Sequence, residues 1–310
     1  MKAIQVVTFI TLAIPSITTY ALDAPSPEIT NIKVSPSLLE TIQQQLPEQT
    51  SVNPAFLNTD YAPHLSLNQD ADVSVTFIDE GAGYKNSLGW MTFADDSLSS
   101  LTKADIDLDQ SGNISLNEIN AIDGVNTGWL FPNASEAGGG GNLLPGDTVK
   151  VTDGAIAADT SLSFFLAQNA WNPYKNEVSD GVLGGERQLF YGLDFLNPEA
   201  DFSSTLVSSQ AESRHIAMLF ASDEQEQVIT GFEDLNRINR YANDWKIASD
   251  DDFNDAVFII NSNPADAFGE SNIATAPMPA MGSGISGILL LTVLAWLAGL
   301  LPLPAKLHSR

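Results

Sequence analysis

The stretch Asp72-Val73-Ser74-Val75-Thr76-Phe77-Ile78 alternates, with Val73, Val75 and Phe77 on one side and Ser74 and Thr76 on the other. A period of two places one apolar set on one face of a pleated chain, so this segment reads as a half-buried β-strand. The turn residues Glu80-Gly81-Ala82-Gly83 follow, and Leu88-Gly89-Trp90-Met91-Thr92-Phe93 supplies a second run, which together predict a hairpin. Working outward, 148–151, 161–168, 188–191, 216–221, 227–232 and 256–261 read as further short strands, separated at irregular intervals by Gly, Pro, Asn and Asp. That pattern predicts a mainly β fold, a β-sandwich or jelly-roll-like domain. One helix precedes it, opened by Pro36-Ser37 and stopped after Leu46 by Pro47.

A second motif interrupts the strands. Asp107-Leu108-Asp109-Gln110-Ser111-Gly112-Asn113-Ile114-Ser115-Leu116-Asn117-Glu118 has the spacing of an EF-hand calcium loop. Asp107, Asp109 and Ser111 supply oxygens at loop positions one, three and five, Gly112 permits the sharp turn, and Asn113 offers its backbone carbonyl. Ser115 acts through water and Glu118 closes the shell with both oxygens. Leu98, Leu101 and Ile106 form the apolar stripe of a short incoming helix, and the exit runs through Leu116, Ile119 and Ile122 to Gly124. Sensor EF-hands work in pairs. A single loop of this kind reads as an EF-hand-like helix-loop-helix inserted at 97–123 that clips the fold with calcium; its plain alternative is an acidic surface turn.

Near the end of the domain, Gly231-Phe232-Glu233-Asp234-Leu235 closes one strand and Asp250-Asp251-Asp252-Phe253-Asn254-Asp255 leads into another. Four Asp within six residues repel one another unless a cation or hydrogen-bond donors compensate. Phe253 packs inward while Glu233, Asp234, Asp252 and Asp255 turn towards a shared second calcium site; the alternative is a solvated acidic loop.

The run Glu80-Gly81-Ala82-Gly83-Tyr84-Lys85-Asn86-Ser87-Leu88-Gly89-Trp90, with Gly231-Phe232-Glu233-Asp234-Leu235 and Asp252-Phe253-Asn254-Asp255, resembles the domain of unknown function 4114 family over most of residues 70–263. The resemblance implies a β-rich, metal-binding extracellular domain of exported bacterial proteins, and it supplies no activity. The C-terminus, Pro277-Met278-Pro279 before an apolar run and a basic tail, resembles a PEP-CTERM sorting signal, with Met278 where that family usually carries Glu. It implies a membrane sorting protease as partner and delivery to the cell surface or matrix.

The organisation that follows is a signal peptide at 1–21, cut by signal peptidase after Ala21, and a leader with one helix at 22–69. The β-rich domain occupies 70–263. A linker and sorting motif at 264–284, a 17-residue uncharged membrane span at 285–301 and a basic tail at 302–310 complete the chain. The tail is either cut off or kept as an anchor.

Composition narrows the chemistry. The chain has 39 acidic and 13 basic residues, a net −26, with three His and no Cys. Between 22 and 275 lie all 39 acids and 10 of the bases, a net −29. Such a surface repels nucleic acid. Without Cys there is no disulfide, thiolate nucleophile or sulfur-bound zinc. Carboxylate oxygens remain, the ligands of hard cations.

The expected function is an exported calcium-binding protein of the cell surface or matrix, structural or adhesive, and not an enzyme. Trp129, Trp171, Tyr174, Tyr191, Tyr241 and Trp245 near loops suggest the alternative of a calcium-dependent carbohydrate-binding module with an extracellular polysaccharide or surface protein as partner. A carboxylate glycoside hydrolase would draw first on Glu80, Glu233 and Asp255. His215, at a strand start, reads as a satisfied structural histidine.

Overall fold

In the computed structural model, residues 27–94, 97–243 and 246–277 are described. The segments read as signal peptide and as membrane span lie outside them, and among the described residues no helix is long and apolar enough to cross a membrane. In chain order the strands are β1 (Thr30–Asn31), β2 (Leu65–Ser66), β3 (Asp72–Asp79), β4 (Ser87–Ala94), β5 (Asn126–Phe131), β6 (Asp147–Lys150) and β7 (Thr160–Ala167). They continue with β8 (Trp171–Asn172), β9 (Glu177–Val178), β10 (Leu189–Tyr191), β11 (Ile216–Phe220), β12 (Gln227–Phe232), β13 (Ala256–Asn263) and β14 (Ala274–Thr275). The order β1-β6-β3-β13-β12-β11-β14 makes a seven-stranded sheet, and β10-β7-β4-β5, with β2 beside β7, makes a second. The chain is mainly β, as the alternation predicts.

The two sheets face each other across one core. Val73, Val75 and Phe77 of β3 share it with Leu162, Phe164 and Leu166 of β7. Phe164 meets Phe258 of β13 edge-on, with ring centres 5.3 Å apart. The outer faces are covered as well, which explains why β11 reads Ile216-Ala217-Met218-Leu219-Phe220 with every residue buried. Ile216, Met218 and Phe220 point between the sheets, while Ala217 and Leu219 pack with Ile42 of α1 (Pro36–Gln45) and with Leu46, which caps its C-terminus. Ser35 caps that helix, its Oγ accepting from Leu38 N at 3.2 Å, and Pro36 sits at its first position. On the second sheet, Phe165 and Ala167 pack outward against Ile106, Ile114, Leu116 and Ile119 of the 97–123 insertion. Burying each such side chain contributes about 1.5–3 kcal/mol, so the insertion is bonded to the fold by its apolar residues whatever its acids do.

Three expectations need correction. β3 and β4 do not form a hairpin: β3 pairs with β13 and β6, β4 with β7 and β5, and the link between them crosses from sheet to sheet. That link is too long for a tight turn and buries Glu80, Tyr84 and Asn86 instead of leaving them in solvent. The folded unit also runs beyond 70–263, since α1 packs in the leader and β14 adds to β11 in parallel within the stretch read as linker. Finally β5, a Gly-containing strand beside β4, was not expected.

Candidate metal centres

The loop at 107–118 is held between two single turns, α2 (Lys103–Ile106) and α3 (Leu116–Asn120). Thr102 and Asp105 cap the first: Thr102 N donates to Asp105 Oδ2 at 2.8 Å. Ser115 and Glu118 cap the second, with Ser115 N donating to Glu118 Oε2 at 2.8 Å and Glu118 N to Ser115 Oγ at 3.3 Å. The expected apolar stripe is buried at Leu98 and Ile106, and half-buried at Leu101. The exit helix is shorter than the spacing suggested and stops before Ile122.

Within the loop, Asp107 is fully buried and its two oxygens accept Ser111 N at 3.0 Å and Gly112 N at 2.8 Å. Asp109 Oδ1 accepts the same Ser111 N at 2.9 Å, and Glu118 Oε1 accepts Leu108 N at 2.9 Å. Ser111 Oγ donates to Asn113 O at 3.0 Å, which brings the loop's hydroxyl and carbonyl oxygens together. Gly112 takes φ +83, the left-handed turn that its place in the motif demands. One carboxylate oxygen each from Asp107, Asp109 and Glu118 lies within 4.8 Å of the others, so a metal ion fits among them. Burial pushes Asp107 above the usual carboxylate range, aided by Asp109 and Glu118 and opposed by the Gly112 and Ser111 N–H groups. Asp109, exposed, is held low by Ser111.

The loop is anchored from outside by buried polar contacts. Tyr191 Oη donates to Ile114 O at 3.0 Å from the second sheet. Lys103 is 1% exposed, and its Nζ donates to Asn197 O at 2.7 Å and Ala200 O at 3.2 Å. Burial lowers its pKa, and Asp107 is the first of the charges that counter this.

The second cluster is assembled across the fold, from the turn after β12 and the segment entering β13. Phe253 is fully buried against the α1 side, as expected, and takes φ +58; Asp251 takes φ +59. These left-handed residues turn successive acids to different sides. Glu233, Asp234 and Asp255 come together within 4.8 Å, and so do Glu233, Asp250 and Asp252. The structure therefore separates Asp252 from Asp234 and Asp255, and it adds Asp250, which the spacing did not single out.

Asp234 is gripped by the opposite sheet. Asn86 Nδ2 donates to its Oδ2 at 2.6 Å and Gln168 Nε2 to its backbone oxygen at 2.5 Å. Asp234 N in turn donates to Asp255 Oδ2 at 2.7 Å, and Gln49 N donates to Asp252 Oδ2 at 2.9 Å. No local signal marks Asn86 or Gln168, because their partner lies far along the chain. Glu233 is fully buried; its Oε1 accepts Leu235 N at 3.3 Å, and its Oε2 has no hydrogen-bond partner. Burial pushes Glu233 up to about 8, with Asp234 adding and Ser249 opposing. Burial also raises Asp234 to about 6 against the pull of Asn86, and lifts Asp255 well above its usual range. A buried carboxylate oxygen without a donor, in an all-oxygen donor set, suits a hard cation.

His215 is structural, as expected. It stacks on Phe190 with ring centres 4.0 Å apart, and its nitrogens lie 2.8 Å from Glu233 O and 3.1 Å from Glu199 Oε1. The aromatic residues divide: Tyr174 and Tyr241 are exposed, Trp129 and Trp171 are half-buried, Tyr191 is core, and Trp245 lies outside the described residues.

Residues 156–263 match the family model described as Domain of unknown function (DUF4114). The matched residues contain the whole second cluster; the loop at 107–118 and the link at Glu80 precede them. No curated protein and no solved structure matches the chain.

Proposed function

We propose that this chain is an exported, calcium-binding protein of the cell surface or extracellular matrix, with a structural or adhesive role. The observation that carries the reading is the convergence of Asp107, Asp109 and Glu118 within 4.8 Å in a loop whose apolar flanks form the outer cover of the second sheet. The donor set is oxygen only, which favours calcium over softer metals. Ser111, Asn113 and Ser115 complete the shell, and the cluster of Glu233, Asp234, Asp252 and Asp255 provides further calcium ligands. A cation in the loop ties α2 and α3 to one point and so stiffens the cover, the task that disulfides perform in other exported proteins. Signal peptidase and a sorting protease handle its ends in this reading, and membrane contact is through the C-terminal segment at least before processing.

Calorimetric titration and melting of the full chain, with calcium or with EDTA, test this. At a calcium concentration a hundred times the dissociation constant, one site stabilises the fold by about 2.7 kcal/mol. Asp107→Asn with Glu118→Gln removes one binding event and that increment. A chain that takes up no calcium and melts at the same temperature in EDTA overturns the reading.

Carbohydrate binding is the second reading, and one observation favours it. A cleft of about 260 Å³ is lined by Trp171 beside Asn133, Asn142, Asn176 and Asp147, an aromatic face with amide and carboxylate groups of the kind that hold sugars. Retention on a polysaccharide array, lost in Trp171→Ala, tests it. For hydrolysis, Glu233 at 0% exposure is out of reach of a sugar ring, which supports a ligand role over a catalytic one.

A further inference from the structure

We infer that the cluster between β12 and β13 binds two divalent cations, not one, with Glu233 as the ligand they share. The choice of calcium as the ion rests on the reading above; the two-ion arrangement rests on the cluster's own geometry. The five carboxylates fall into two sets, Glu233 with Asp250 and Asp252, and Glu233 with Asp234 and Asp255, and within each set the ligand oxygens lie within 4.8 Å of one another. Calcium holds oxygens at about 2.3–2.6 Å, so ligands on opposite sides of one ion stand about 4.6–5.2 Å apart. Each set matches one ion, and Glu233 is the residue common to both.

An independent observation points to a ligand at the shared residue. Glu233 is 0% exposed and its Oε2 has no hydrogen-bond partner. Native folds rarely leave such an atom without a partner. Among the neighbouring acids, Asp234 and Asp255 each have one oxygen occupied, Asp234 Oδ2 by Asn86 and Asp255 Oδ2 by Asp234 N, whereas Asp252 accepts at both oxygens, from Gln49 N and Asn254 N. The Oδ1 atoms of Asp234 and Asp255 are left to a cation.

Charge leads to the same count. Arg237 and His215, the basic groups of this region, pair with Asp251 and Glu199, and among the described residues no ion pair reaches any of the five carboxylates. Five carboxylates deprotonated by bound cations keep three negative charges with one divalent ion and one with two. The protein's answer to a shared, buried Glu is then a bridging carboxylate between adjacent cations, which joins the end of β12, the entry to β13 and, through Asn86 and Gln168, the second sheet.

Counting bound calcium on the full chain by equilibrium dialysis and native mass spectrometry tests the inference. The expected count is three, one in the loop and two in the cluster. Glu233→Gln, isosteric and uncharged, drops it to one, whereas Asp250→Asn, at an exposed position that leaves the fold alone, drops it to two. Asp107→Asn with Glu118→Gln also drops it to two. A full chain whose cluster holds one ion or none, or a folded Glu233→Gln chain that loses only one, overturns the shared-ligand centre. If Glu233→Gln does not fold, Asp250→Asn with Asp252→Asn decides: retention of the Asp234–Asp255 ion supports the centre, and loss of both ions or of neither overturns it. Failure of the loop reading is separate, since it appears as a count unchanged by Asp107→Asn with Glu118→Gln.

Discussion

In the loop at 107–118 each acid is answered by a backbone N–H of the same dozen residues: Ser111 and Gly112 for Asp107, Ser111 for Asp109, Leu108 and Ser115 for Glu118. In the cluster at 233–255 local donors, Leu235 N for Glu233 and Asn254 N for Asp252, are joined by donors from the segment after α1, from the sheet-to-sheet link and from the end of β7, and Glu233 Oε2 receives none. The loop is thus a local device that keeps its shape by its own hydrogen bonds. The cluster exists only when the whole sandwich is assembled, and its acids are forced together by burial. The same residue type, Asp or Glu, is cheap in the first setting and costly in the second.

The two glycines at these sites offer the sharpest way to break the contrast. A methyl group on Gly231 would collide with the backbone oxygen of Phe253, which cannot retreat because Phe253 is fully buried. Gly231→Ala is expected to cost at least about 3 kcal/mol in urea unfolding, with loss of calcium at the cluster. Gly112 has open space around its Cβ position, so Gly112→Ala meets only the penalty of φ +83. Its expected cost is about 1–2 kcal/mol, with the sheets unchanged by circular dichroism. Equal costs for the two substitutions would erase the distinction between local and assembled sites.

The smallest effect is one of pH. Burial raises Glu80, beside the cluster, from 4.5 to about 7, opposed by the Glu136 N–H and aided by the charges of Glu136 and Asp234. A folded-state value above the unfolded one means that the folded chain takes up the proton more readily, so this contribution is full below about pH 4.5 and is lost as pH rises to about 7. In EDTA the melting temperature should fall across that window, and Glu80→Gln should fall less. An identical slope in the variant would place the cost elsewhere.

What could be read from the sequence follows the same division. The strands at 72–78, 161–168 and 256–261 announce themselves through alternation or apolar runs, and the loop through spacing inside twelve residues. The strand partners were less legible: nothing in Glu80-Gly81-Ala82-Gly83 says that the chain leaves for another sheet, because that is decided by β13 filling the place beside β3. Likewise nearness in sequence groups Asp252 with Asp255, whereas the chain, with positive φ at Asp251 and Phe253, places them in different sets. β5 is not legible in the sequence because Asn126-Thr127-Gly128-Trp129 has no regular alternation, and its place is fixed by pairing with β4.

The first sheet ends on both sides in strands of two residues, β1 and β14. A long exposed edge would be a template onto which a neighbouring copy could zip, and crowding would turn that into fibres. β1 and β14 break these edges into short steps, and a net charge of −29 between 22 and 275 pushes neighbours apart. The same charge makes edge-to-edge contact between copies of this chain weakest at low salt, where the repulsion is least screened.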